Sequence, residues 1–266
     1  MNNIPRHLKQ QLASGKKLIM GWCAIPSTIT AEAIARLPFD VIGVDLQHGF
    51  IDYERALSMI QVIDSRGHPV LARVPWNDPG IIMKLLDAGY TGIICPMINT
   101  ADDAQKFVAA CRYAPVGQRS WGPARALNVF GADYGTTANE RITTFAMIET
   151  IQAVQNLDEI LAVDGVDAIY IGPSDLGLSM GFTPTLEPTE LSVLEAITYI
   201  RETALRAGKY AAIHCGSSEM VQRMLDQGFN LATLMTDARI FTAALSSKLS
   251  EARSKDMPDV VTGGQY

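Results

Sequence analysis

Eight short apolar segments alternate with eight stretches of helical spacing, and this alternation restricts the fold more than any other feature of the chain. The strand candidates are residues 18–22, 41–45, 70–73, 92–95, 144–148, 168–171, 210–213 and 231–235. Helical segments follow at 28–37, 53–65, 79–88, 101–111, 156–162, 190–207, 217–227 and 240–252, and a polar leader helix at 5–14 precedes the first strand. Short apolar runs rich in β-branched residues favour strands. Their strict alternation with helices implies a parallel sheet with the helices outside it. Eight such units in about 250 residues suit a closed (β/α)8 TIM barrel of the α/β class. An open doubly wound sheet is the competitor, but no strand is followed by the G-x-G-x-x-G turn of dinucleotide-binding folds.

The chain has 266 residues, 48% of them apolar and 19% charged, the composition of a globular protein with a sizeable core. One barrel domain is expected over residues 1–256, with a disordered tail at 257–266. A net charge of −6 and the lack of any Lys/Arg cluster argue against a nucleic-acid partner. No apolar run approaches the roughly 18 residues of a membrane span, and residues 1–17 carry no signal-peptide core. Neither a membrane partner nor export is expected. The four cysteines are scattered, without a C-x-x-C pair, as for reduced cytoplasmic thiols. One stretch breaks the economy of the pattern: residues 113–141, rich in Gly, Pro, Ala and Arg, are predicted to form a long loop serving as lid, binding loop or interface.

In a barrel, the residues just beyond the strands line one face, and active sites occupy that face. Those positions hold Asp45 and His48 after the second strand, Arg73 on the third, Glu149 after the fifth and Asp175 after the sixth. His214 and Cys215 follow the seventh, and Asp237 the eighth. Glu149 and Asp175 leave neighbouring strands, whose axes lie about 4.8 Å apart, so their carboxylates can share a cation. Oxygen ligation by so few protein groups favours Mg2+ or Mn2+, with Co2+ a further option. A metal-free acid/base pair, and helix capping by each acid singly, are the alternatives. Arg73 is either a clamp for a carboxylate or a developing oxyanion, or an ion-pair partner of Glu149 or Asp175. His48, in the polar turn Gln47-His48-Gly49, suits proton transfer near neutrality. His7 and His68 are expected at the surface, and Cys215 as a buried thiol. No lysine stands at a strand end, which disfavours a Schiff base.

Asp45-Leu-Gln-His48-Gly, Arg73 after an apolar strand, Pro96-Met97, Arg119-Ser-Trp-Gly-Pro, Ile148-Glu149-Thr and Gly172-Pro173-Ser174-Asp175-Leu occur in this order. The ordered set, spanning about residues 5–255, resembles the class II, divalent-metal-dependent pyruvate aldolases of the phosphoenolpyruvate/pyruvate barrel superfamily, the 4-hydroxy-2-oxoheptanedioate and 2-dehydro-3-deoxyglucarate aldolase type. The resemblance implies Glu149 and Asp175 as metal ligands, and the backbone around Gly172, Pro173, Ser174 and Asp175 as the holder of pyruvate's carboxylate. It implies Arg73 at the enolate oxygen and His48, through water, at the aldol hydroxyl. Asp87 would orient His48 across a subunit contact, with Asp45 a local rival for that role. The implied partners are a 2-oxo acid, an aldehyde and further copies of the chain, as trimer or hexamer with the last helix exchanged. This sequence departs from the relatives at Gln47, at Met147 and at His214-Cys215-Gly216. The last lies on the aldehyde side, where His214 is the candidate contact. Rival readings are a malyl- or citramalyl-CoA-type thioester lyase, which the sparse Lys/Arg at the strand ends disfavours, and a keto-acid-binding barrel without turnover.

Overall fold

The computed structural model describes residues 7–253. Its strands are β1 (Leu18–Cys23), β2 (Val41–Asp45), β3 (Val70–Arg73), β4 (Gly92–Cys95), β5 (Thr143–Ile148), β6 (Ala168–Ile171), β7 (Tyr210–Cys215) and β8 (Leu231–Thr236). They pair in parallel and in chain order, with β8 returning to β1 to close the expected (β/α)8 barrel. The helices are α1 (Leu8–Ala13), α2 (Thr28–Ala35), α3 (Tyr53–Asp64), α4 (Pro79–Asp87), α5 (Ala101–Cys111), α6 (Ala124–Phe130) and α7 (Tyr134–Arg141). They continue with α8 (Ile151–Gln155), α9 (Leu157–Leu161), α10 (Pro173–Ser179), α11 (Leu191–Arg206), α12 (Ser218–Asp226) and α13 (Asp237–Ala252). None of these helices is long and apolar enough to cross a membrane.

Side chains alternate between the two faces of each strand, and the core divides accordingly. Leu18, Met20, Trp22, Leu71, Ile94, Phe145, Met147, Tyr170, Ala212 and Leu231 fill the barrel interior. Ile42, Val44, Ala72, Ile93, Ala146, Ile148, Ile169 and Ile213 point outward into the layer shared with the helices. Leu8 and Leu12 of α1 join the interior cluster. Lys9 of the same helix meets Asp167, just ahead of β6, at 2.9 Å, so α1 closes the N-terminal end of the barrel. At the opposite end, side chains of Ser27, Asp52, Asp78, Thr100, Thr150, Ser217 and Thr236 cap the helix starts. The barrel mouth is therefore ringed by rigid strand-to-helix turns.

Four strands have the predicted bounds and four are one or two residues longer; four helices were not expected. The stretch expected as a long loop holds α6 and α7. These helices are short; Ala126, Tyr134 and Ala138 join the core, and ion pairs add to that packing. Arg119 pairs with Asp87 at 2.6 Å and stacks on Tyr113 and Tyr134, while Arg125 pairs with Asp64 at 2.8 Å and donates to the Ala88 carbonyl. A third unforeseen helix, α8, follows β5 with Thr150 as its cap, and a fourth, α10, starts immediately after β6 with Pro173 in its first turn, where a missing N–H costs nothing. His68 is buried rather than at the surface, its Nε2 sharing a hydrogen bond with the Ala35 carbonyl at 2.8 Å. The tail at 257–266 lies outside the described residues.

Replacing Leu12, 2% exposed in the plug, by Ala removes buried methyl groups from the barrel floor. Urea unfolding is expected to show a loss of about 3 kcal/mol; a loss below about 0.5 kcal/mol would contradict the plug's place in the core.

Candidate active site

The centre of the mouth is an ion pair. β2 and β3 are in register at Asp45 and Arg73, and both side chains turn inward. Arg73 Nε and Nη2 donate to the two Asp45 oxygens at 2.9 and 2.6 Å, a bidentate pair with both side chains largely buried. Asp45 also accepts from Trp22 Nε1 at 3.3 Å and from the backbone N–H groups of Gln47 and His48. Burial opposes ionisation of both partners, but the attraction between them wins: the Asp45 carboxyl is held below its usual range and the Arg73 guanidinium is held charged. Among the described residues, Arg73 Nη1 has no partner, which leaves it for a ligand. The Trp22 ring lies 5.1 Å from the guanidinium carbon. Sequence reading offered Glu149 or Asp175 as structural partners for Arg73; the partner is Asp45.

The two carboxylates stand beside this pair. Glu149, one residue past β5, is 2% exposed and accepts one hydrogen bond, from the Met97 N–H at 2.8 Å. Met97 presents that N–H from a left-handed backbone, φ 55°, a conformation that costs a non-glycine residue about 1–2 kcal/mol. A Cβ on Gly172 would sit 2.5 Å from Glu149 Oε2, so only glycine leaves room for this carboxylate. Burial above all, and the charge of Asp175, push the Glu149 carboxyl up to about 7. Asp175 is exposed in the first turn of α10 and, among the described residues, has no hydrogen-bond or ion-pair partner. Neither acid is a cap. Thr150 caps α8, and α10 starts at Gly172 without a side-chain cap.

Among the described residues no group of three or more His, Cys, Asp or Glu side chains gathers as a metal site. The pair fits a hard divalent ion nonetheless, because such an ion takes one or two carboxylates and completes its shell with water or substrate oxygens. A buried acid destabilised by its own charge and facing a second acid is what a cation would relieve.

His214 comes from β7 and faces the barrel interior. Its Nδ1 lies 3.0 Å from the Tyr170 hydroxyl, which lies 2.6 Å from Thr233 Oγ1, and its ring meets the edge of Trp22 at 5.2 Å. Burial first, then the nearby Arg73, lower its pKa to about 3, so the imidazole is neutral. His48 is exposed on the turn after β2, placed by its backbone bond to Asp45. Asp87 sits at the C-terminal end of α4, at the end of the barrel opposite His48, and pairs with Arg119. Cys215 is buried, and its thiol is pushed up to about 12 by burial, the opposite of an activated nucleophile. Asp45, Arg73, Glu149, Asp175 and His214, the residues singled out in the sequence, lie at or near this mouth; Trp22, Tyr170 and Thr233 were passed over. At inward strand positions these look like core. The polar tip of Tyr170 and its two-residue offset from Gly172 are the only signals that mark it.

The sequence profile of the HpcH/HpaI aldolase/citrate lyase family matches residues 18–244. The chain belongs to that family. It is 42% identical over 240 residues to a hydroxypyruvate/pyruvate aldolase of Rhizorhabdus wittichii, covering 90% of this chain and 96% of the relative. It is 32% identical over 259 residues to a 5-keto-4-deoxy-D-glucarate aldolase of Escherichia coli, covering 96% and 100%. An HpcH/HpaI aldolase/citrate lyase family protein from Burkholderia cenocepacia superposes with a TM-score of 0.86 at 27% identity, over 93% of this chain and 99% of that one. As a member of the family the chain is a carbon–carbon lyase on a TIM-type barrel, as its motif order implies.

The neutral His214 gives this family member a pH signature. The unfolded imidazole titrates near 6.5 and the folded one near 3, so below about pH 6.5 unfolding takes up a proton. The stability contributed is present above that pH and is lost as pH falls toward 3, at up to about 1.4 kcal/mol per unit. In His214→Leu the slope of unfolding free energy between about pH 6 and pH 5 is expected to flatten by roughly 1 kcal/mol per unit. Parallel slopes for the two proteins would show that His214 is protonated in the fold.

Proposed function

We propose that this aldolase reversibly cleaves a 4-hydroxy-2-oxo acid to pyruvate and an aldehyde, with Glu149 and Asp175 holding the divalent metal ion that assists it. The observation that carries this reading is the unengaged Nη1 of Arg73, locked by Asp45 in a mouth that also holds two carboxylates without a partner cation. A divalent cation at that pair supplies a Lewis acid for the 2-oxo group. Arg73 stabilises negative charge developing on the 2-oxo oxygen; because Asp45 fixes it beforehand, little reorganisation accompanies the reaction. Backbone N–H groups from Gly172 to Asp175, skipping Pro173, which has none, hold the substrate carboxylate at the start of α10. His48 accepts the proton of the 4-hydroxyl through water, and the exposed turn that carries it is open to that exchange. His214, neutral and fixed by Tyr170, faces the aldehyde half.

The functional unit is a homo-oligomer, a trimer or hexamer. Two observations support this. α13 exposes Ile240, Phe241, Leu245 and Leu249 along its length, an apolar face that another copy would cover. Asp87 lies at the wrong end of its own barrel to orient His48, so it serves the His48 of a neighbouring copy. The four free, buried thiols support a cytoplasmic location. A CoA-thioester lyase is the weaker reading, because Arg112, Arg119 and Arg125 are all spent in ion pairs rather than lining a nucleotide groove.

Pyruvate release from 4-hydroxy-2-oxo acids is expected to vanish with EDTA and return with Mg2+ or Mn2+; undiminished activity of the metal-stripped protein would refute the reading. Arg73→Met is expected to lower kcat roughly 10²- to 10³-fold. Gly172→Ala, which crowds Glu149, is expected to weaken Mn2+ binding about tenfold or more in a titration.

A further inference from the structure

We propose that Arg239 sets the acceptor preference of this site by holding an anionic group, a carboxylate or a phosphate, at the far end of the aldehyde. The proposal rests on the aldolase reading above and specifies its second substrate. Arg239 lies in the first turn of α13, directly after β8, and so at the mouth end of the barrel on the β7–β8 side. That turn is held from two directions. Thr236 Oγ1 accepts the Arg239 N–H at 3.2 Å, and the Asp237 carboxylate accepts the Ala24 and Ile25 N–H groups at 2.8 and 3.2 Å, tying the helix start to the exit of β1.

The side chain is half-buried, yet among the described residues it has no hydrogen-bond or ion-pair partner. Among the described residues it is alone in this. Every other buried or half-buried arginine, Arg73, Arg112, Arg119, Arg125, Arg141 and Arg201, is in an ion pair. A guanidinium kept partly out of water without an acceptor is unfavourable unless a ligand completes it.

Its charge reaches the site. Arg239 is among the groups that hold the His214 ring neutral, together with burial and Arg73. Two acids on this side of the mouth are already engaged. Asp45 is consumed by Arg73, and Asp237 is consumed by backbone N–H groups. Glu187, in the segment between α10 and α11, packs over Gly216 and bears on Cys215, which belongs to the outer core layer. The acceptor half of the mouth thus presents a neutral hydrogen-bonding ring and, beyond it, an unpaired cation. Those two features fit an aldehyde that is polar along its length and negatively charged at its end.

The test compares retro-aldol KM for three substrates that share the 4-hydroxy-2-oxo acid head: 4-hydroxy-2-oxoheptanedioate with a carboxylate tail, 4-hydroxy-2-oxoheptanoate with a neutral tail, and 2-oxo-3-deoxy-6-phosphogluconate with a phosphate tail. In Arg239→Gln the ratio of anionic to neutral KM is expected to rise about tenfold, one charge-assisted contact, and Arg239→Lys is expected to restore most of it. Which anionic tail shows the larger change identifies carboxylate or phosphate as the group bound. An unchanged ratio, or equal losses on all three substrates, would overturn the assignment of Arg239 while leaving the aldolase reading standing. A wild-type protein that releases no pyruvate from any of the three would overturn the aldolase reading itself.

Discussion

The buried pair of Arg73 and Asp45 is the constraint on which the rest of the mouth depends. Taking a guanidinium and a carboxylate out of water costs several kcal/mol per ion, and geometry alone recovers it. Here the recovery is thorough: Asp45 accepts two bonds from Arg73, one from Trp22 and two from the backbone of the following turn. The same five bonds fix three things at once. They orient the guanidinium, they set the turn that carries His48, and they hold the indole against which His214 packs. Loss of the carboxylate would release all three, so the pair is an organiser of the site before it is a contributor to stability.

The carboxylate pair works in the opposite sense. Where Asp45 has its charge fully matched, Glu149 is buried with a single N–H donor and a second acid nearby. The fold tolerates this through two local accommodations, the left-handed backbone at Met97 and the missing side chain at Gly172. Strain of this kind accumulates at functional sites, where the missing partner is supplied from outside. One half of the mouth is therefore complete in itself and the other is built to be completed.

Much of this was legible in the sequence, because strand ends are marked by abrupt changes from apolar to polar residues. β2, β3, β4 and β6 start and stop where the composition changes, and the residues at their exits are the ones the mouth collects. The order of short motifs added the pairing of roles that spacing alone left open. What stayed hidden had one of two causes. Trp22, Tyr170 and Thr233 obey the inward alternation of the strand and carry no polar neighbour to distinguish a mouth-facing position from a core one. α6 and α7 are held by Arg119 and Arg125 reaching back to Asp87 and Asp64, contacts between residues 32 and 61 positions apart, which no local pattern encodes.

α13 is joined to the barrel at its first turn, where Asp237 is its one buried residue, while its later turns stand clear. Anchor and shaft are thus separate parts. Changes along the exposed shaft can alter the molecular surface without disturbing the turn that the anchor fixes, while changes in the anchor bear on the barrel mouth. Along this one helix, the outer surface and the rim of the mouth are open to independent variation.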